Sequence, residues 1–197
     1  MLEAVTLVLA SGSRYRSELL AKLDVPFDAV PADIDERAFD DRFAQVSDED
    51  FALTIARAKA AHVHALRPDA WVLAADQIAV VDRTLLHKPG TVARAIDQLM
   101  ELAGRTHALV TGIVLHGPGD RVLTAVDRVE LRMRAFDRAE ATAYVERHRP
   151  LDCCGSYRIE DAGVRLMDSI SGADPTSIMG LPLLRTCALL RQAGLLP

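Results

Sequence analysis

Val5-Thr6-Leu7-Val8-Leu9-Ala10-Ser11-Gly12-Ser13-Arg14-Tyr15-Arg16-Ser17-Glu18-Leu19-Leu20-Ala21-Lys22-Leu23 is the stretch that decides the fold. Its first six residues are a continuous apolar run that stops at Ser11-Gly12-Ser13, after which Leu19, Leu20 and Leu23 recur at helical spacing. The reading is strand, small-residue loop, helix. Small residues at such a junction let backbone N–H groups approach an anion at the helix N-terminus, and Arg16 adds a charged donor. The spacing matches neither a Walker A loop nor a dinucleotide fingerprint, so on its own it fits a phosphate site or a plain turn with surface arginines.

Downstream, strands and helices alternate. Phe27 to Val30 reads as a second short strand, followed by an acidic, turn-rich stretch from Pro31 to Asp41. Ser47 with Asp50 three residues on resembles a capping box, opening a helix to about His64 with Phe51, Ile55 and Ala58 to Ala61 inward. Trp71 to Val81 is a long apolar run interrupted by Asp76-Gln77, and Asp82-Arg83 makes a tight turn before Leu85 and Leu86. Thr91 caps a helix to about Leu102, where Ala103-Gly104 ends it. His107 to Leu115 and Arg121 to Met133 form a hairpin about Gly117-Pro118-Gly119-Asp120. Asp137 caps a helix through Glu146, and Pro150 breaks the chain. Strand candidates at Gly155 to Ile159 and Val164 to Ile170 precede a last helix, Leu181 to Ala193. The pattern predicts an α/β or α+β fold with a mixed sheet flanked by helices, rather than a purely doubly wound one. Its 197 residues suit a single domain over 1–197, with room for two lobes.

Composition narrows the function classes. Half of the residues are hydrophobic and 26% charged, which is ordinary for a globular protein. A net charge of −5 argues against coating nucleic acid, although a few converging cations can still hold a small anion. Met1 to Ala10 has no basic start, carries Glu3 and is too short an apolar run for a signal peptide or membrane span, so a cytoplasmic protein is expected. Cys153, Cys154 and Cys187 are odd in number and lack C-x-x-C spacing, which suggests neither a disulfide scaffold nor zinc.

Asp76 is the most telling candidate. An unpaired carboxylate buried in a strand is destabilising by several kcal/mol, roughly, so strands rarely carry one without a partner. With Glu36 of the acidic loop it points to carboxylates held toward a divalent ion or a water nucleophile. Lys59, in an alanine-rich stretch, and Lys88, before Pro89, can each reach into a cleft, though a solvated surface lysine is the ordinary alternative. The six histidines show no ligand spacing, and none is assigned to a metal.

Seven ordered motifs resemble the Maf family, the septum-formation-inhibitor-like proteins, across nearly the whole chain. They are Leu9-Ala10-Ser11-Gly12-Ser13, Ala56-Arg57-Ala58-Lys59-Ala60, Ala74-Ala75-Asp76, Lys88-Pro89, Gly104-Arg105-Thr106-His107, Thr111-Gly112 and Gly180-Leu181-Pro182-Leu183. The resemblance implies an inosine-triphosphatase-like α/β fold with two lobes around a deep cleft, a homodimer, and a divalent cation, Mg2+ or Mn2+. It implies hydrolysis of a nucleoside triphosphate to monophosphate and pyrophosphate. By position, Asp76 would be the general base, Glu36 a metal ligand or its support beside Asp76, and Arg16, Lys59 and Lys88 the triphosphate contacts. Ser11 and Ser13 would then be phosphate donors, because water attack requires no nucleophilic side chain.

Tyr15, Gln77 and Glu160 resemble the 7-methyl-GTP branch of that family, whereas the branch acting on thymidine and uridine triphosphates usually carries arginine, threonine and glutamine there. The chemistry agrees. N7-methylation makes guanine cationic, and a cation stacks on an aromatic face such as Tyr15 with about 0.5 to 2 kcal/mol. Guanine also offers N1–H and an amine side by side to a carboxylate such as Glu160. Arg14 stands where the family often has proline, and Ile159-Glu160-Asp161-Ala162 lacks the glycine that usually follows the glutamate. The competing readings are a pyrimidine triphosphate pyrophosphatase and a non-catalytic regulator of cell division.

Overall fold

The computed structural model describes residues 6–197; Val5, the first residue of the expected opening strand, and Glu3 lie outside them. Among the described residues, strands β1 (Leu7–Leu9), β2 (Phe27–Ala29), β3 (Trp71–Val81), β4 (Thr84–Leu86), β5 (Thr106–Gly117), β6 (Arg121–Met133) and β7 (Met167–Ser171) alternate with helices. The helices are α1 (Arg14–Ala21), α2 (Asp40–Phe43), α3 (Asp48–Leu66), α4 (Val92–Leu102), α5 (Arg138–His148) and α6 (Leu183–Ala193). The strands bond in the order β2-β1-β3-β5-β6-β7, with β4 added to β3. The sheet is mixed, as expected: β1 runs parallel to β2 and β3, whereas β4 and β7 pair antiparallel to β3 and β6.

The chain divides into two compact units, the first comprising residues up to Gln77, Thr111–Asp127 and Asp174–Pro197. In this unit β1 pairs with β3 in the register Leu7↔Trp71 and Leu9↔Leu73. Leu7, Leu9, Trp71, Leu73, Ala75, Ile113 and Leu115 face one side and pack on Leu19 and Leu20 of α1 and Leu189 and Leu190 of α6. Val8, Ala10, Val72, Ala74 and Val114 face the other and pack on Ala56, Ala60 and Val63 of α3. Both faces are covered, which is why these strands read as unbroken apolar runs. Helix α3 lies so close that a Cβ on Gly112 of β5 would stand 2.5 Å from the Ala52 carbonyl carbon. Ala61 is exposed rather than inward, because the buried stripe of α3 follows Ala52, Ile55, Ala56, Lys59, Ala60 and Val63. The last helix begins at Leu183, with Pro182 as its N-cap and Leu181 buried ahead of it.

The second unit comprises Ile78–Val110 and Arg128–Ala173. Val81 pairs with Thr84 across Asp82 and Arg83, which take φ of 44° and 61°, the two-residue hairpin geometry whose twist matches the strands. The strand expected at Gly155 to Ile159 does not form. Gly155 and Ser156 take φ of 84° and 61°, which no ladder accepts, and the segment is held by side chains instead. Ser156 Oγ bonds Gln98 Oε1 at 2.5 Å, and the buried Tyr157 hydroxyl lies 2.9 Å from His107 Nε2. The expected strand from Val164 to Ile170 starts as a 3-10 turn, Gly163–Leu166, before becoming β7.

Candidate functional site

Strand β1 stops after Leu9 while β3 continues past its partner Leu73, so Asp76 lies beyond the end of β1. Carboxyl ends of parallel strands are where α/β sheets hold ligands. Ser13 N donates to Ser11 Oγ at 3.1 Å, and Ser13 is the N-cap of α1, its Oγ accepting from Arg16 N at 3.4 Å. Both hydroxyls act as acceptors there, which leaves each O–H proton for a further acceptor. Arg16 Nε donates to the Gly180 carbonyl at 2.9 Å, which fixes the plane of its guanidinium. Arg14 turns outward to Glu18 at 2.6 Å, and Tyr15 is half-buried in the first turn of α1.

Asp76 has the partner its burial demands. Lys59 Nζ lies 2.5 Å from Asp76 Oδ1 and 2.7 Å from Glu36 Oε1. Lysine and aspartate are buried, 6% and 5% exposed, whereas the Glu36 side chain is 45% exposed. Two negative charges on one ammonium leave the cluster net negative. Asp35 is not part of it: its carboxylate caps a 3-10 turn, Glu36–Phe39, by accepting from Arg37 N at 3.1 Å. The donor set is hard oxygen, which suits Mg2+ or Mn2+. Among the described residues no three His, Cys, Asp or Glu side chains gather to hold a metal, so a cation here would draw on Asp76 and Glu36 and otherwise on water and phosphate oxygens.

Gln77 follows Asp76 and so points to the opposite face of β3. Its Nε2 donates to Thr111 Oγ1 at 2.9 Å and to the Ser177 carbonyl at 2.6 Å. Thr111 stands in the Thr111-Gly112 motif but carried no assigned role in the sequence, and Ser177 carried no signal there; both are buried. Within the first unit the structure thus brings Glu36, Lys59 and Asp76 into one cluster, and separately sets Arg16, with Ser13 and Ser11 ahead of it, near Gln77 about Gly180.

Lys88 and Glu160 belong to the second unit and are described with it. Lys88 is exposed, on the segment after β4. Glu160 is exposed in a turn that Arg158 ties down, through Asp161 at 3.2 Å, Asp152 and the His148 carbonyl. Tyr144 Oη accepts from Arg158 N at 3.0 Å. In the same turn Ala162 takes a φ of 62°, whereas Asp161, which directly follows Glu160, is not among the positive-φ residues. Of the six histidines, His107 is buried and its pKa is pushed down by burial to about 4.

A sequence description of the Maf-like protein family matches residues 6–193. The chain belongs to the Maf-like family. Among Maf-like relatives, a 7-methyl-GTP pyrophosphatase of Xanthomonas axonopodis pv. citri is 42% identical over 188 residues, 95% of this chain and 96% of its own. Proteins of the same name from Alkalilimnicola ehrlichii and Pseudomonas aeruginosa are 40% and 38% identical, covering 98% and 95% of this chain and 96% of their own length in each case. A solved nucleoside-triphosphatase / dITP/XTP pyrophosphatase from Mycobacterium abscessus is more distant, at 18% identity and a TM-score of 0.41 over 66% of this chain and 74% of that one. The family that the seven motifs resembled is thus the family to which the chain belongs.

Proposed function

We propose that this Maf-like protein is a nucleotide pyrophosphatase that hydrolyses 7-methyl-GTP to 7-methyl-GMP and pyrophosphate. The observation that carries the reaction is the buried Lys59 held between Asp76 and Glu36. Asp76 Oδ1 is engaged by Lys59, which leaves Oδ2 to accept a proton from the attacking water. Lys59 and Arg16 counter charge on the leaving pyrophosphate, and the hydroxyls of Ser11 and Ser13 donate to phosphate oxygens; for Lys88, in the second unit, the support is its Lys88-Pro89 motif alone. A divalent cation, Mg2+ or Mn2+, bound by Asp76 and Glu36 supplies further neutralisation of the phosphates. No side-chain nucleophile is required, because water carries the attack.

The substrate reading rests on Tyr15 as a stacking platform for the cationic base and Gln77 as a further reader, both in the first unit; for Glu160, in the second unit, the support is its resemblance to the 7-methyl-GTP branch alone. Relatives that share about 40% of the sequence over nearly its full length carry the same substrate in their names. The working form is a homodimer in the cytoplasm; among the described residues no helix is long and apolar enough to cross a membrane. Pyrophosphate and monophosphate release should be measured on 7-methyl-GTP, GTP, ATP, CTP, UTP and dTTP, with magnesium and with manganese. Preference for UTP or dTTP would place the chain in the pyrimidine branch. Full activity of Asp76→Asn would overturn the catalytic assignment.

A further inference from the structure

The Gln77 amide has a defined orientation. A backbone carbonyl can only accept a hydrogen bond, so the atom 2.6 Å from the Ser177 oxygen must be the amide nitrogen. Its second N–H goes to Thr111 Oγ1. Both donors are spent on the protein, and only the carbonyl oxygen Oε1 remains to be offered. That oxygen lies on the side of Gly180: a Cβ built there would stand 3.8 Å from Oε1, 3.5 Å from Arg16 Nε and 3.7 Å from Arg16 Nη2. Oε1 therefore sits beside the phosphate-site arginine, where a glycine with φ of 90° leaves room for both.

The acceptors are themselves immobilised. Thr111 is 1% exposed and Ser177 1%. Ser177 Oγ donates to Asp127 Oδ2 at 2.5 Å, and Arg185 Nε lies 3.6 Å from the other Asp127 oxygen. Asp174 ties down the same turn by accepting from Thr176 N at 2.8 Å and Leu184 N at 2.6 Å. A side chain otherwise free to flip its amide is thus clamped by buried groups.

We infer that Thr111, with the Ser177 carbonyl braced by Asp127, is a positioning residue that locks Gln77 as an acceptor-only reader of the base. Facing the ring nitrogen of the base, such a reader favours those with a ring N–H, the lactam class of guanine, hypoxanthine, uracil and thymine, over adenine and cytosine, whose corresponding ring nitrogen is an acceptor and which would have to shift to offer their amino group instead. It leaves the choice of purine over pyrimidine to other contacts. The inference rests on the proposed nucleotide site, and an equilibrium binding test separates the two. By titration calorimetry, wild-type protein should bind 7-methyl-GMP and GMP more tightly than AMP. Thr111→Val, which keeps the shape and removes one of the two hydrogen bonds of the clamp, should shrink that preference by about three- to tenfold, the worth of one hydrogen bond, and Thr111→Ser should restore it. Gln77→Met should shrink it similarly, which keeps the test open if Thr111→Val does not fold. Equal wild-type affinity for GMP and AMP, no affinity for either, or a Thr111→Val loss equal for both nucleotides would overturn the inference. Selective binding without hydrolysis would overturn the proposed reaction and leave the clamp standing.

Discussion

Replacing Lys59 by methionine tests whether the ion cluster is held together as its geometry implies. Methionine approximates the lysine stem in length and leaves the α3 stripe packed, so the change chiefly removes the ammonium. Asp76, 5% exposed, then keeps a buried charge without its partner, whereas Glu36, with a 45% exposed side chain, can turn to water. Breaking a buried pair from one side is worth about 3 to 5 kcal/mol, nearly all of it here from Asp76. For a chain of this size that corresponds to a fall in Tm of about 6 to 20 °C. Neutralising the stranded carboxylate should recover most of the loss, so Lys59→Met with Asp76→Asn should be more stable than Lys59→Met alone. Urea unfolding at pH 7.5, followed by circular dichroism, measures all three proteins. A single-variant loss below about 1 kcal/mol, or a double variant less stable than the single one, would show that Asp76 is not dependent on Lys59.

Three further outcomes follow from other parts of the molecule. His107 titrates near 6.5 when unfolded and near 4 when folded because burial disfavours its charge, so only the unfolded chain binds the proton between those values. Stability should decline as pH falls from 6.5 to 4, by at most about 3 kcal/mol from this group, and His107→Gln should flatten that decline in urea titrations at each pH; an unchanged slope would contradict it. Gly112→Ala drives a Cβ into the α3 backbone at 2.5 Å and should lower stability by about 1 to 3 kcal/mol in the same assay, with no change counting against the close approach. Tyr15→Ala should weaken kcat/KM for 7-methyl-GTP about three- to thirtyfold more than for GTP, and equal losses would count against stacking on a cationic base.

Much of the chain was legible because its signals are local. Ser47, Thr91 and Asp137 all cap helices in the structure, where short polar side chains before apolar periodicity place them. The interruption of β3 at Asp76 announced a partner, since a buried carboxylate demands one. The identity of that partner was also partly visible: Lys59 stands four residues after Ile55 and four before Val63, on the stripe that α3 buries. Reading the neighbouring alanines as uniformly inward hid this, because small residues tolerate either side of a helix. The segment Gly155 to Ile159 misled for a related reason. Its apolar residues suited a strand, but Tyr157 is buried against His107 and Gln98 takes up Ser156, partners about fifty or more residues away in the chain.

Read alone, the sequence already contains the strand-loop-helix opening, the capped helices, the mixed sheet, and the residue types on which the proposed site is built. These follow from propensity, periodicity and the penalty on buried charge, all properties of neighbouring residues. Only the tertiary structure decided that Lys59 bridges Asp76 and Glu36, that Arg16 is pinned by Gly180, and that Thr111 and Ser177 orient the Gln77 amide. Each of these is a contact across the fold, set by which faces of β1, β3 and β5 meet which helices. A hydrogen bond of 2.5 to 3 Å depends on that packing to within a fraction of an ångström.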